Sequence, residues 1–181
     1  MARWKIDVPH TLVEFSVRHM MVTTVRGSFE RFDGFMDFDA ENPANSYVEV
    51  QIETASINTR TADRDAHLRS GDFFEAEKHP HMIFKSNKIE ITGENSGKIY
   101  GDLTIRDVTR PVVLEVEHFG QGTNPYGMQV AGFGATTSIN REDFGLTWNQ
   151  ALEAGGVLVS KDVRMELNVQ AVLQTETAPA S

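Results

Sequence analysis

The chain has 181 residues, 40% of them hydrophobic and 24% charged, and its 26 acidic against 17 basic side chains give a formal net charge of −9. That length and composition give one domain with a real core, whereas an acidic surface with no local Lys/Arg cluster excludes nucleic acid and anionic headgroups as docking partners. The lack of cysteine excludes disulfides, thiolate chemistry and Cys-held metals, and no apolar run exceeds three residues once glycine is set aside, so no membrane span is expected.

Residues 1–7 lack the apolar stretch of a signal peptide, which makes a cytoplasmic location the expectation. From there period-two alternation dominates, the mark of strands with one wet and one dry face. Leu12–Val17 puts Val13, Phe15 and Val17 on one face, and His19–Thr24 reads as a single helical turn. Val25–Phe38 is a second strand stretch with Phe29 inward. Gly34 marks a bulge or bend within it, because apolar residues continue at Phe35 and Phe38 in both registers. Asn42-Pro43 turns into Tyr47–Glu53, where Val48, Val50 and Ile52 oppose Glu49, Gln51 and Glu53.

Thr61–Ser70 is the best helix, with Thr61 placed to cap it and Gly71 to stop it. Met82–Ser86, with Met82 and Phe84 inward, and Lys88–Thr92 are weaker strands. Turn residues around Gly93 and Gly97 lead to Ile99–Arg106, with Leu103 and Ile105 inward, and then to Val112–Glu117, with Val112 and Leu114 inward. Asn124–Gly127 turns into Met128–Thr137, with Phe133 inward, and Glu142–Trp148 holds a further helical turn. Val163–Ala171 is the last strand, with Met165 and Leu167 on its dry face. Thr175–Ser181 is small and polar and reads as a disordered tail on a domain covering residues 1–174.

These segments predict an all-β fold, a closed eight-stranded antiparallel barrel with one or two short helices. Closure removes sheet edges, and eight strands leave an interior filled by side chains or by one slender ligand. Gly101, Gly132 and Gly134 fall within strands, which predicts tight bending or room left for another molecule.

Arg64, Asp65 and His67 sit on the helix beside Asp63 and Arg69, as a polar gate or as an ion-pair network that locks the helix to the barrel. His19 and Arg141 join them as candidate groups at a polar mouth, with Arg141 also able to pair with Asp143. His79 and His81 with His67 resemble a metal set, but Pro80 bends the spacing and no carboxylate lies at a recognisable offset, so no metal is expected. Gly132–Thr137 lacks the third glycine of a dinucleotide fingerprint, and there is no nucleophile elbow or Walker sequence. No catalytic residue and no cofactor are expected. The alternatives are acid/base chemistry on a small lipid by His19 or His67, and a stress-associated structural barrel acting through surface partners.

Several segments together resemble the YceI-like family of polyisoprenoid-binding proteins with a lipocalin-like barrel. They are Pro9–Met20, Val25–Phe29 with Phe32 and Gly34, Ser56–Thr59, Arg64–Phe74, Gly101–Val112 and Ile139–Gly145. The similarity runs from about residue 3 to residue 173, and Arg64-Asp65-Ala66-His67-Leu68 followed by Asp72-Phe73-Phe74 is its most specific part. Asp107 stands where a glycine is usual, and the leader of many relatives is missing. The resemblance implies an apolar tunnel holding an isoprenoid lipid, of polyprenyl or quinone type, in a homodimer without catalytic residues.

A prenyl chain offers no hydrogen bonds along its length, so its site needs depth and an apolar wall. The inward side chains named above supply that wall, or else fill a closed core. A tail of about 40 carbons at ~0.3 kcal/mol per atom gives roughly 12 kcal/mol, near nanomolar affinity.

Overall fold

The computed structural model describes residues 1–150 and 158–175, so the expected tail lies, but for Thr175, outside the described residues. The strands are β1 (Ala2–Ile6), β2 (Leu12–His19), β3 (Thr23–Phe29), β4 (Phe32–Phe38), β5 (Tyr47–Glu53), β6 (Ile57–Asn58), β7 (His81–Ile91), β8 (Ser96–Ile105), β9 (Val108–Thr123), β10 (Gln129–Asn140) and β11 (Val159–Leu173). One α-helix, α1 (Ala62–Arg69), follows β6. Among the described residues no helix is long and apolar enough to cross a membrane.

All pairings are antiparallel, and β1 bonds to both β4 and β11. This closes β1, β4, β5, β7, β8, β9, β10 and β11 into an eight-stranded barrel. The three further strands continue three of these past a kink. β2 prolongs β1 beyond the turn holding Pro9, β3 leads into β4 across Glu30 and Arg31, and β6 prolongs β5 beyond Thr54–Ser56. The kinks share one level, because Glu30 N–H donates to Ser56 O and Glu53 N–H donates to Arg31 O. Where the ladder breaks, side chains satisfy the backbone: Thr54 Oγ1 donates to His79 O at 2.7 Å, and Gln170 N–H donates to Thr11 Oγ1 at 3.1 Å.

Several expected segments change shape. Val25–Phe38 splits in two at the kink, while Met82–Ser86 and Lys88–Thr92 join into β7 through a bulge between Ser86 and Lys88. The helical turn expected at His19–Thr24 is instead the β2–β3 turn, with Met20 and Met21 at φ 53° and 60°. Within Glu142–Trp148 the turn covers only the first part, as a 3-10 turn over Arg141–Phe144. Gly34 is not a bulge, since its pairing with Val50 is in register; its missing side chain gives Ile6 space. Arg106 and Asp107 both adopt positive φ between the paired Ile105 and Val108, as a two-residue hairpin turn requires, and Asp tolerates that conformation.

The interior divides along the barrel axis. At the end carrying α1, the β2–β3 turn and the β8–β9 turn, Val13, Phe29, Ile52, Ile57, Phe73, Met82, Phe84, Leu103, Ile105, Phe144 and Leu146 form a packed core. At the opposite end, where the β7–β8 turn lies, the buried cluster contains only Trp4, Ala131 and Ala171.

Candidate functional site

The alternation that turns side chains inward continues into this sparse end, but there the walls do not meet. A cavity of about 300 Å³ remains, bounded by Val48, Val50, Ile99, Leu114, Val116, Phe133, Leu167 and Val169, among others. Trp4, Ile6, Met36 and Phe38 supply the wall at the closing seam, and residues 93–98 of the β7–β8 turn stand at its rim. Most of these walls stay half-buried although they point inward; Val48, Val50, Ile99, Leu114 and Leu167 touch the packed core on one side and border the cavity on the other.

Phe84 marks the boundary between cavity and core. Its cross-strand partner Val50 borders the cavity, whereas Leu103, paired on its other side, lies in the packed core. The Phe84 ring rests on Gly101, where an added Cβ would fall 2.6 Å from Phe84 Cζ and 2.5 Å from Lys85 O. The space left by this strand glycine is therefore occupied by the protein itself. Gly134 behaves alike on the outer face, where Phe119 lies 2.7 Å from the position of an added Cβ.

Of the expected wall residues, Val48, Val50, Leu114, Phe133 and Leu167 border the cavity. Val13, Phe29, Ile52, Met82, Phe84, Leu103 and Ile105 belong to the packed core, with Phe15 and Val112 against it. Met165 is buried, and Val17 is half-buried near the far end of β2. Period two assigns the dry face but not the height at which the barrel is hollow. The overlooked wall residues carry the same signal: Val116 follows Leu114 by two, Val169 follows Leu167, and Ala131 and Ala135 flank Phe133. Sequence alone singles out neither Trp4 and Ile6, on a short strand at the chain start, nor Met36, nor the polar His118 and Gln121 at the end of the β9 alternation.

The polar groups expected at a mouth lie at the helix end, opposite the cavity. Asp65 accepts from Thr59 N–H at 2.8 Å and from Thr59 Oγ1 at 2.5 Å, and Arg64 donates to Thr59 Oγ1 and Thr59 O at 2.7 and 2.6 Å. His67 bonds to Asp72 at 2.8 Å and meets the rings of Phe73 and Trp148 edge-on. Arg141, buried, donates to the carbonyls of Leu146, Trp148, Ser160 and Val159 at 2.6, 2.9, 2.8 and 3.2 Å. Burial pushes its guanidinium below the usual arginine range, and among the described residues no carboxylate bonds to it. His19 ends β2 opposite Thr23. These groups tie α1 and the 141–150 segment onto the barrel, and Phe73, Phe144 and Leu146 fill the space between.

His79 pairs with Asp107 at 3.4 Å, away from the His67–Asp72 pair. Among the described residues no group of three or more His, Asp and Glu side chains is placed to hold a metal. A second hollow of about 240 Å³ lies against the barrel wall beside Gly134 and Phe119, but Glu115, Glu117 and Glu166 border it, which suits no apolar guest.

The family model for the YceI-like domain matches residues 4–171. The chain belongs to the YceI-like family. A UPF0312 protein of Staphylococcus epidermidis is 38% identical over 171 residues, covering 94% of this chain and 97% of its own. BcnA of Burkholderia cenocepacia superposes with a TM-score of 0.80 at 21% identity, covering 91% of this chain and 98% of its own. The polyisoprenoid binding domain from Saccharophagus degradans implicated in plant cell wall breakdown superposes with a TM-score of 0.69 at 12% identity, over 94% of this chain and 98% of its own. At those identities the two structures share the fold, and the YceI-like fold is the closed eight-stranded barrel described above.

Proposed function

We propose that the protein binds an isoprenoid lipid in the hollow end of its barrel, as a carrier or store rather than as a catalyst. The observation that carries this reading is the cavity itself: about 300 Å³, walled by aliphatic and aromatic side chains and reaching solvent at the β7–β8 end. Its size lies at the lower edge of ligand pockets, which span roughly 300–1,000 Å³. A tail of about 40 carbons, each not much smaller than a water's ~30 Å³, needs on the order of 1,000 Å³. The cavity thus takes one segment of a long tail, and a longer tail makes room for its remainder by displacing Phe84. The fold shared with a polyisoprenoid binding domain supports the ligand class. A cytoplasmic homodimer belongs to the same reading, and fractionation and light scattering test it.

Organic extraction of protein purified from its native host, followed by mass spectrometry, is expected to yield a prenyl lipid near one per chain. Repeatedly empty extracts contradict the proposal. Leu114→Trp, which fills the hollow end, is expected to abolish that recovery, whereas Leu103→Trp overpacks the solid end and acts on stability first.

A further inference from the structure

Below the polar rim, two polar side chains of β9 border the hollow end, the exposed Gln121 and, deeper in the wall, His118. His118, on β9, borders the cavity, and its Nε2 is shielded from solvent and meets no hydrogen-bond partner among the described residues. A buried polar atom left alone is costly, and native structures rarely keep one without a water, ion or ligand to meet it. The imidazole is also held in place. Its backbone N–H donates to Asn95 O at 2.8 Å, which ties it to the β7–β8 turn, and its ring lies 5.1 Å from that of Phe133 at an interplanar angle of 31°. The register shift between Gly132 and Phe133 falls at this pair, and bulges commonly serve to aim a side chain. An unpartnered nitrogen in the wall of a mainly apolar cavity, closed until a guest parts the neighbouring side chains, has the form of a specificity contact.

We infer that His118 Nε2 bonds to a single uncharged oxygen on the ligand, so that the prenyl chain enters tail first and its oxygen-bearing end stops at the level of His118. The inference rests on the proposed lipid-binding function and adds orientation and head chemistry to it. The height of His118 sets the direction: β8 and β9 pair from Ser96 and Glu117 inward, so His118 lies beside the rim while Phe84, resting on Gly101, marks the boundary with the core. Charge sets the head. The rim segment 93–98 offers one Lys98 beside one Glu94, on a chain of net charge −9, which gives a diphosphate no cationic cluster to meet.

The test compares farnesol, its deoxy hydrocarbon and farnesyl diphosphate on the delipidated full chain by a competitive fluorescence assay. Farnesol is expected to bind roughly five- to tenfold more tightly than the hydrocarbon, the worth of one net hydrogen bond, and more tightly than the diphosphate. His118→Phe is expected to erase the farnesol preference while leaving hydrocarbon affinity in place. In the unaltered protein the Nε2 nitrogen resonance of His118 is expected to move with farnesol and stay still with the hydrocarbon, a readout that does not depend on the variant folding. Equal affinity for farnesol and hydrocarbon, a preference that survives in His118→Phe, an unmoved Nε2 resonance or tighter diphosphate binding overturns the inference and leaves lipid binding standing. No binding of any of the three overturns both.

Discussion

The two halves of this barrel follow the same alternation, yet one is solid and the other hollow. In the solid half large side chains interdigitate, and Phe144 and Met82 each stand only 2% exposed. The helix end adds its own filling, since Phe73 and Phe74 follow α1 and Phe144, Leu146 and Trp148 follow β10. At the other end the short β7–β8 turn brings no such side chains, and small residues at Ala131, Ala135 and Ala171 line the wall where large ones would meet. Cavity and core thus differ in what β2, β3, β6 and the connecting segments carry inward, Val13, Phe29 and Ile57 from those three strands among it. The difference teaches that hollowness in a small barrel is decided at its ends.

The strongest test of this contrast is its boundary. Phe84→Ala is expected to cost about 4 kcal/mol, as buried aromatic truncations do, and to join the cavity to space within the solid half. Chemical denaturation measures the cost, and a gain in affinity for prenyl chains longer than farnesol measures the joining. Arg141→Met comes next. It strips four backbone carbonyls of their donor at the helix end, with an expected loss of roughly 3 kcal/mol. Farnesol affinity, read at the opposite end, is expected to stay within twofold.

A matched pair sharpens the comparison further. Leu103→Ala in the solid half is expected to cost about 3 kcal/mol, and Leu114→Ala about 1 kcal/mol, because Leu114 is half-buried, with the core on one side and the cavity on the other. Equal costs in urea denaturation would break the distinction between the halves.

The smallest effect concerns the seam of the hollow end. Arg3 donates to both carboxylate oxygens of Asp37 at 2.7 and 2.8 Å, tying β1 to β4, and holds that carboxyl below its ordinary range. A carboxylate whose folded value is lowered stabilises above its unfolded value, and that contribution is lost as pH falls through the folded value. The pair is exposed, so its effect is small. Asp37→Asn is expected to melt slightly below the parent at pH 7, and the gap to close toward pH 3.

Much of this was legible in the sequence. Alternation at Tyr47–Glu53, Ile99–Ile105 and Val163–Ala171 gives strands whose inward residues the structure places inside, and α1 starts after Thr61 as expected, although the Thr61 side chain makes no capping bond and Ser70 rather than Gly71 closes the helix. The turn at Met20–Val22 was misread because positive φ at two methionines leaves no compositional trace. Hollowness was illegible for a similar reason. Whether Val50 borders the cavity and Ile52 faces protein depends on Phe84 resting on Gly101, a contact between strands that neither segment announces. The polar groups around α1 were noticed, but spacing gives no sense of which end of the barrel they occupy. Their buried partners, Thr59 and the carbonyls around Arg141, show a clamp.

Methyl-resolved NMR during titration with farnesol tests the central claim most directly. Methyl signals of Val48, Val50, Leu114, Val116 and Leu167 are expected to shift together while those of Val13, Leu103 and Ile105 hold their positions. Shifts concentrated on Val13, Leu103 and Ile105, or none in either set, contradict a lipid site in the hollow end.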